Sequence, residues 1–458
     1  MPDWKRVNID FPTIKLGRYV EPIKETFKDR RSEDFGTVYG VTNINGIIVT
    51  GKKASEDISK YTIIDKDHFV YNPYRINVGS IGYNSTGAKG CVSPAYVVFR
   101  TKPGLSPAFL YQYLKSEFGN HLINWYGNHG GVRNSLKYRD LCQIDIPDIN
   151  YDKQLKITER IDNLKSLIND LAKELDIQSD YNARLRQRLL QEAIEGKLTA
   201  KWRTSHHEII NGEHHPSTLL ERIRAEKVRL INEGKLRKVQ AINNSKTIRA
   251  LNIPDNWVWT KGDAIFFVTK LAGFEYTDYF HLRDVGEVPI IRAQNVRPVK
   301  ISKDSVLFID SEISKLLARS ALTKPCLLVT FIGAGIGDVS LFEENTRWHL
   351  GPNVAKMEPY TNKTSLNLKY FNYYLLSKSG RKELFKHVKA TAQPSLSMGT
   401  IRDIDYPVPS LQEQNIIVEK IDRLMEMMDT SEKQISERKE QLEMLMQSIL
   451  REAFADGI

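Results

Sequence analysis

The sequence predicts an α+β chain. Two β-rich globular domains are joined by two long helices that pair as an antiparallel coiled coil, and a pseudo-twofold internal repeat relates the halves. Three observations predict it. The chain resembles itself at a fixed offset, two separate helical stretches carry a 4–3 apolar spacing, and short β-branched runs fill the remainder of each half.

The repeat comes first because it organises everything else. Placing Ser135-Leu136 on Ser395-Leu396 fixes the offset at 260 residues. The same offset pairs Asp145-Ile146-Pro147 with Asp405-Tyr406-Pro407, Ile161-Asp162 with Ile421-Asp422, and Glu192-Ala193-Ile194 with Glu452-Ala453-Phe454. Chance supplies one such match, but hardly four in a single register. Upstream the likeness is looser. Arg75 to Gly82 resembles Val329 to Gly337, Ser93 to Phe99 resembles Gly351 to Met357, and Pro107 to Lys115 resembles Leu368 to Ser377.

The retained part of each copy carries heptads. In the first helix the spacing runs Ile157, Ile161, Leu164, Ile168, Leu171, Leu175, Gln178, Asn182, Leu185, Leu189. In the second it runs Ile417, Ile421, Leu424, Met428, Ser431, Ile435, Arg438, Leu442, Leu445, Ile449. So narrow a stripe is a coiled-coil seam rather than a broad core-facing one. Gln178 with Asn182, and Ser431 with Arg438, are polar seam positions where register is fixed. Two seams in one chain have each other as the obvious partner, and an antiparallel pair would set a globular domain at either end.

Short β-branched or aromatic runs at Gly40–Thr50, His68–Tyr71, Tyr96–Arg100, Val288–Arg292, Val306–Ile309 and Leu327–Ile332 make the globular halves β-rich. The expected organisation is a first globular domain over 1–150, a helix over 151–199, a linker over 200–250, a second globular domain over 251–408 and a second helix over 409–458. The linker is basic, with 12 Lys or Arg against 5 Asp or Glu between Lys197 and Arg249. Pro216 to Lys227 within it starts like a capped amphipathic helix.

At 458 residues the chain exceeds what one hydrophobic core serves, in keeping with two domains. A net charge of +10 suits a polyanionic partner. Cys91, Cys142 and Cys326 lie far apart and form no CxxC pair, so neither a disulfide framework nor a zinc site is expected. The opening MPDWKRVNIDF lacks the apolar core of a signal peptide, and no run reaches the roughly 18 apolar residues of a membrane span. A soluble, cytoplasmic protein is expected.

Catalytic motifs fail one after another. Gly46 to Lys52 matches most of a P-loop, but Lys53 stands where a metal-reaching Ser or Thr is needed, and the segment reads as a strand. Gly333, Gly335 and Gly337 are spaced G-x-G-x-G, with a strand-like run after them, which fits a tight turn better than a dinucleotide loop. Asn72-Pro73-Tyr74 lacks the second proline of the amino-methyltransferase motif, and no cofactor loop accompanies it. His206-His207 and His214-His215 lie in a polar stretch without clustered carboxylates, so no metal is expected. The expectation is a chain without catalytic residues.

With these features in hand, the chain resembles the specificity subunit of a bacterial Type I restriction-modification system over nearly its whole length. The pieces that carry the resemblance are Ser410 to Asp422, Leu189 to Thr199 with Trp202-Arg203, and Leu251 to Pro254 followed by Trp257. Asn72 to Arg75 with Gly79 to Gly82, and Ser93 to Tyr96, recur in recognition domains of that kind. One departure is that Asp148 to Lys153 replaces the Glu-Gln-containing helix start kept in the second copy.

The resemblance implies a division of labour. The two globular domains would be target-recognition domains, each reading one half of a bipartite double-stranded DNA site, and the helices would set an unread gap of constant length. Two methyltransferase subunits would dock on the helices, bringing S-adenosylmethionine, and motor-nuclease subunits would join for restriction. Candidate DNA-contacting residues are Arg75, Asn77, Ser80, Tyr83, Asn84, Lys89, Arg133 and Asn134 in the first domain. In the second they are Arg292, Gln294, Asn295, Arg297, Lys300, Arg347, His349 and Gln393. Arg and Lys suit phosphates and guanine, while Asn and Gln suit adenine. Two other readings stay open: a DNA-binding regulator acting alone, and a coiled-coil scaffold.

Overall fold

A computed structural model describes residues 12–30, 35–50, 57–127, 135–206, 212–237, 251–360, 366–388 and 394–455. The chain divides into two compact units, Met1–Gln178 with Gln434–Ile458, and Ser179–Lys433.

Unit 1 begins with β1 (Thr13–Lys15), β2 (Val20–Pro22), β3 (Val38–Thr42), β4 (Gly46–Val49), β5 (Thr62–Ile64), β6 (His68–Tyr71), β7 (Ile81–Tyr83), β8 (Gly90–Val92) and β9 (Val97–Thr101). Helices α1 (Pro107–Lys115), α2 (Glu117–Gly127) and α3 (Tyr138–Leu141) follow, then β10 (Asp145–Pro147) and α4 (Tyr151–Ile194). One sheet has the order β2-β9-β6-β7, a second the order β4-β3-β8-β5, and β1 pairs with β10. The expected single run Gly40–Thr50 is instead the hairpin β3–β4. Gly46 at φ +60° and the Thr42 hydroxyl, which accepts from Asn45 N at 3.1 Å, turn the chain there.

Unit 2 adds α5 (Ala200–Ser205), α6 (Pro216–Asn232), β11 (Val258–Lys261), α7 (Gly262–Ile265), β12 (Phe266–Lys270), α8 (Gly273–Tyr279), β13 (Val288–Ile291), β14 (Leu307–Ile309) and α9 (Ser311–Leu316). After these come β15 (Ala321–Leu322), β16 (Cys326–Thr330), β17 (Val339–Phe342), β18 (Trp348–Leu350) and β19 (Val354–Pro359). The unit closes with α10 (Leu368–Leu376), α11 (Lys378–Phe385), α12 (Met398–Arg402), β20 (Asp405–Val408) and α13 (Leu411–Ala455). Its sheets run β12-β19-β16-β17 and β14-β13-β18-β15, with β11 on β20. The unit 1 plan recurs strand for strand among the described residues, including a parallel strand pair in each, β3 with β8 and β13 with β18. The repeat is therefore of the whole domain, although the sequence keeps it only in part.

Each motif retained at the 260 offset has a structural job. Leu136 N donates to Pro73 O at 3.0 Å, and Leu396 N to Phe331 O at 2.9 Å. Asp145 pairs with Lys15 across β1–β10, as Asp405 pairs with Lys261 across β11–β20. The backbone carbonyls of those same aspartates accept from Tyr113 and Tyr374, both at 2.6 Å. Asp162 accepts from Gln112 on α1, and Asp422 from Tyr373 on α10, which seats each long helix on a globular domain. Ala193 and Ile194 are buried in the unit 2 core, while Ala453 and Phe454 are buried in that of unit 1. Each long helix thus starts in one core and ends in the other. Burial of a side chain the size of Ile or Phe contributes about 1.5–3 kcal/mol, which explains why these short motifs outlast the loops.

Within each unit the segments of α4 and α13 run antiparallel. The seam keeps one row of each expected heptad: Ile161, Ile168, Leu175, Asn182 and Leu189 are buried, as are Ile421, Met428 and Ile435. The other row is buried only where it begins, at Ile157 and Ile417, and farther along is a correction. Leu171, Leu185 and Leu445 are exposed, and Ala172, Ser179, Arg186, Met425, Glu432 and Lys439 flank the buried row instead. An α-helix drifts about 20° per heptad from a strict 3.5 spacing, so a row that starts under a domain turns outward along the helix. Polar pairs hold that rotation: Asn182 Nδ2 donates to Glu432 Oε2 at 2.9 Å and Lys439 to Asp176 at 2.6 Å. Of the four expected register positions, Asn182 alone is buried. Gln178 bonds Glu174 on its own helix, and Ser431 and Arg438 face solvent.

No described helix is long and apolar enough to cross a membrane. The expected helix in the basic stretch is α6, capped by His215, whose ring nitrogen accepts from Ser217 N. It lies on unit 2, with Ile223 fully buried and Lys227 bonded to Asp263 at 2.8 Å.

Candidate functional site

The residues carrying the strongest motifs converge on one buried point of unit 2. Glu413, in the first turn of α13, accepts from Thr199 at 2.7 Å, Arg203 at 2.5 Å and Trp257 Nε1 at 2.9 Å. Three buried or half-buried donors on one carboxylate lock the stretch after α4 and the entry to β11 onto the start of α13. That is scaffolding. Most of the exposed candidate residues lie elsewhere, on the connections between strands.

In unit 1, the β6–β7 connection exposes Arg75 and half-exposes Asn77, with Tyr74 and Val78 also outward. Gly79 at φ +82° closes this turn. Lys89 is exposed, its ammonium 5.9 Å from the Phe35 ring centre. Tyr83 is half-buried, and its hydroxyl donates to Asp67 at 2.8 Å; burial first, then that carboxylate, push the phenol well above its usual range.

In unit 2, the long β13–β14 connection carries Gln294, Arg297 and Lys300, all exposed. Arg292 is half-buried and donates to Ser305 O at 2.6 Å. Arg347 is also spent internally, on Ser314 Oγ at 2.8 Å and Ser314 O at 2.7 Å.

Four expected base readers are corrected by their burial. Ser80 donates to Val41 O, and the Asn84 side chain bonds Asp65 O, Ala88 O and Ala88 N. Asn295 bonds Arg292 N, Ser302 O and Asp304 O. His349 has its ring nitrogens 2.9 and 3.2 Å from the carbonyls of Leu350 and Leu317, and burial lowers its pKa. Buried polar side chains must be bonded, and these hold loops in shape rather than meeting a ligand. Arg133, Asn134 and Gln393 lie outside the described residues.

Two features escaped sequence reasoning. Ile44, at the tip of the β3–β4 turn, is 91% exposed, and Val299 on the β13–β14 connection is 42% exposed. The available signal was an apolar residue inside a turn. On the helices, Leu167, Leu171, Ile177, Met444 and Leu445 of unit 1 are exposed, as are Tyr181, Leu185 and Met427 of unit 2. These are surplus to both seam and cores.

Comparison with known proteins places this geometry. Residues 268–441 match the family described as the Type I restriction modification DNA specificity domain. The specificity subunit of the Type I restriction enzyme EcoBI of Escherichia coli is 22% identical over 324 residues. That match covers 70% of this chain and 59% of the relative, so the chain spans less than two thirds of that relative's length. Among solved structures, a chain from work on complex assembly and conformational transition of the type I R-M system matches with a TM-score of 0.61 at 12% identity, covering 98% of each chain. The HsdS subunit from Thermoanaerobacter tengcongensis matches with a TM-score of 0.57 at 13% identity, over 98% of this chain and 97% of that one. These two likenesses are of fold. Domain, relatives and fold agree: the chain carries a Type I restriction modification DNA specificity domain over residues 268–441 and is similar to Type I restriction enzyme specificity subunits.

Proposed function

We propose that this chain reads a bipartite double-stranded DNA sequence on behalf of partner methyltransferase subunits and performs no chemistry itself. One observation carries the reading. Two copies of the same domain differ most in one connection between corresponding strands, a three-residue turn between β3 and β4 against residues 292–306 between β13 and β14. Equal scaffolds with one strongly unequal connection suit two different half-sites read by one chain.

The helices supply the second half of the proposal. At about 1.5 Å per residue, 44 and 45 residues give rods of about 66 Å, long enough to act as a ruler that fixes an unread gap. Their exposed Leu, Ile, Met and Tyr side chains suit docking of two methyltransferase subunits, through which motor-nuclease subunits would join. S-adenosylmethionine would reside on those partners, not on this chain. Affinity would come from Lys and Arg on phosphates, with a strong salt dependence.

The test is selection from a random duplex library by the purified chain together with the methyltransferase encoded beside it. Enrichment of a two-part sequence with a constant gap supports the reading. Enrichment of one contiguous site by the chain alone favours a regulator acting without partners, and no enrichment of any kind favours a scaffold.

A further inference from the structure

The β13–β14 connection is a built structure rather than a slack loop. Val296 and Ile301 form an antiparallel bridge, and Arg297 N donates to Lys300 O at 3.2 Å, closing a small hairpin. Two buried side chains hold it from beneath. Asn295 ties its base through Arg292 N, Ser302 O and Asp304 O. Ser340 on β17 accepts from Arg297 N at 3.1 Å, and its hydroxyl faces the carbonyls of both Arg297 and Lys300. A pinned hairpin presents its tip in one orientation.

The tip residue is the wrong one for stability. Val299 sits at φ +74°, where a β-branched side chain is strained and glycine or asparagine is not. Its side chain is 42% exposed. Strain kept where a side chain faces solvent points to a task for that side chain. On either side, Arg297 and Lys300 are exposed, and among the described residues no carboxylate lies within ion-pairing distance of them. A side chain added at Gly333, in the connection that leads into β17, would meet nothing within 4 Å.

The repeat adds an independent observation. A lone exposed apolar residue needs no explanation. Here the corresponding connection of unit 1, between β3 and β4, also ends in an exposed β-branched residue, Ile44. In unit 2 Ser340 holds the connection itself, whereas in unit 1 Ser80 Oγ bonds Val41 O on β3, the strand that leads into the turn. An exposed β-branched side chain thus stands in both connections, although their lengths differ greatly.

We propose that the hairpin Val296–Ile301 is the base-reading finger of unit 2, with Val299 as the apolar contact to a base edge. A thymine methyl in the major groove is the group that fits it. Arg297 and Lys300 would grip the flanking phosphates, so that charge positions the finger and Val299 reads. The proposal rests on the DNA-reading function proposed above and deepens it.

The experiment compares the full-length chain with Val299→Gly and Val299→Asn, each co-expressed with its methyltransferase in a methylation-free host, with modified adenines mapped by long-read sequencing. Both replacements accept the backbone conformation, so folding is not at stake. The expected result is a loss of preference of about tenfold or more at one position of one half-site, with the other half-site and the gap unchanged. Wild-type preference at every position in both variants overturns the proposal. So does a loss spread equally over both half-sites, because a base contact acts on its own half. If the wild-type chain itself yields no motif, the DNA-reading function falls and the finger falls with it.

Discussion

Asn182 reaches across the helix seam and donates to Glu432 at 2.9 Å, while the same amide nitrogen lies 2.9 Å from Met428 O. Ser179 donates to the other oxygen of the Glu432 carboxylate at 2.8 Å. One buried amide therefore ties two helices that their apolar rows alone would let slide.

Replacing Asn182 by Ala should cost about 1–3 kcal/mol, the usual cost of stranding buried bonding groups. A double-mutant cycle with Glu432→Gln, read by urea unfolding, should show a coupling of about 0.5 kcal/mol or more. Additive effects would remove Asn182 from the register argument.

Glu413 should be among the least replaceable residues of unit 2. Glu413→Ala leaves the half-buried Arg203 guanidinium and the Trp257 indole without their acceptor, at about 3–5 kcal/mol. Pairing it with Arg203→Met should restore part of that loss. Chemical denaturation checks both, and equal stability of Glu413→Ala and wild type would refute the lock.

Asp403 gives a signature at low pH. Burial raises its carboxyl, but hydrogen bonds from Lys261, His387 and Lys386 outweigh that and bring it down to about 2. A carboxyl lower in the folded state than in the unfolded one stabilises the fold above about pH 4 and stops doing so as pH falls through 2. The stability of Asp403→Asn should therefore change less between pH 4 and pH 2 than that of wild type.

The exposed helical side chains should matter to partners and not to the fold. Leu171→Asp and Leu185→Asp should change stability by no more than about 0.5 kcal/mol yet abolish co-purification with the methyltransferase. Retained co-purification in both would move the docking surface elsewhere.

Lys300→Ala should weaken DNA binding almost evenly across sequences and lower the slope of log affinity against log salt by about 1. Anisotropy titrations on matched and unmatched duplexes at several salt concentrations separate this from a loss of specificity.

How much was legible in the sequence follows from what each residue does. The retained motifs were readable because each occupies a core or bonds a fixed neighbour, as Asp145 and Asp405 do. The departure at Asp148–Lys153 is smaller in the structure than in the letters. Gln154 accepts from Ser106 N at 2.7 Å, just as Gln414 accepts from Asn367 N at 2.9 Å, while Lys153 stands where the second copy has Glu413. The seam was half legible, since spacing reveals an apolar stripe but not which edge of it meets the partner. Polar loop residues were least legible: Asn295 and Arg297 look alike as candidates, yet one is an internal brace and the other faces water.

The central claim is that this chain chooses where methylation falls. The most direct measurement is a map of modified adenines in a methylation-free host expressing the methyltransferase with and without this chain. The account predicts one two-part motif with a constant gap, present only when the chain is expressed. The same methylation in both hosts, or none in either although the two proteins bind each other, would contradict it.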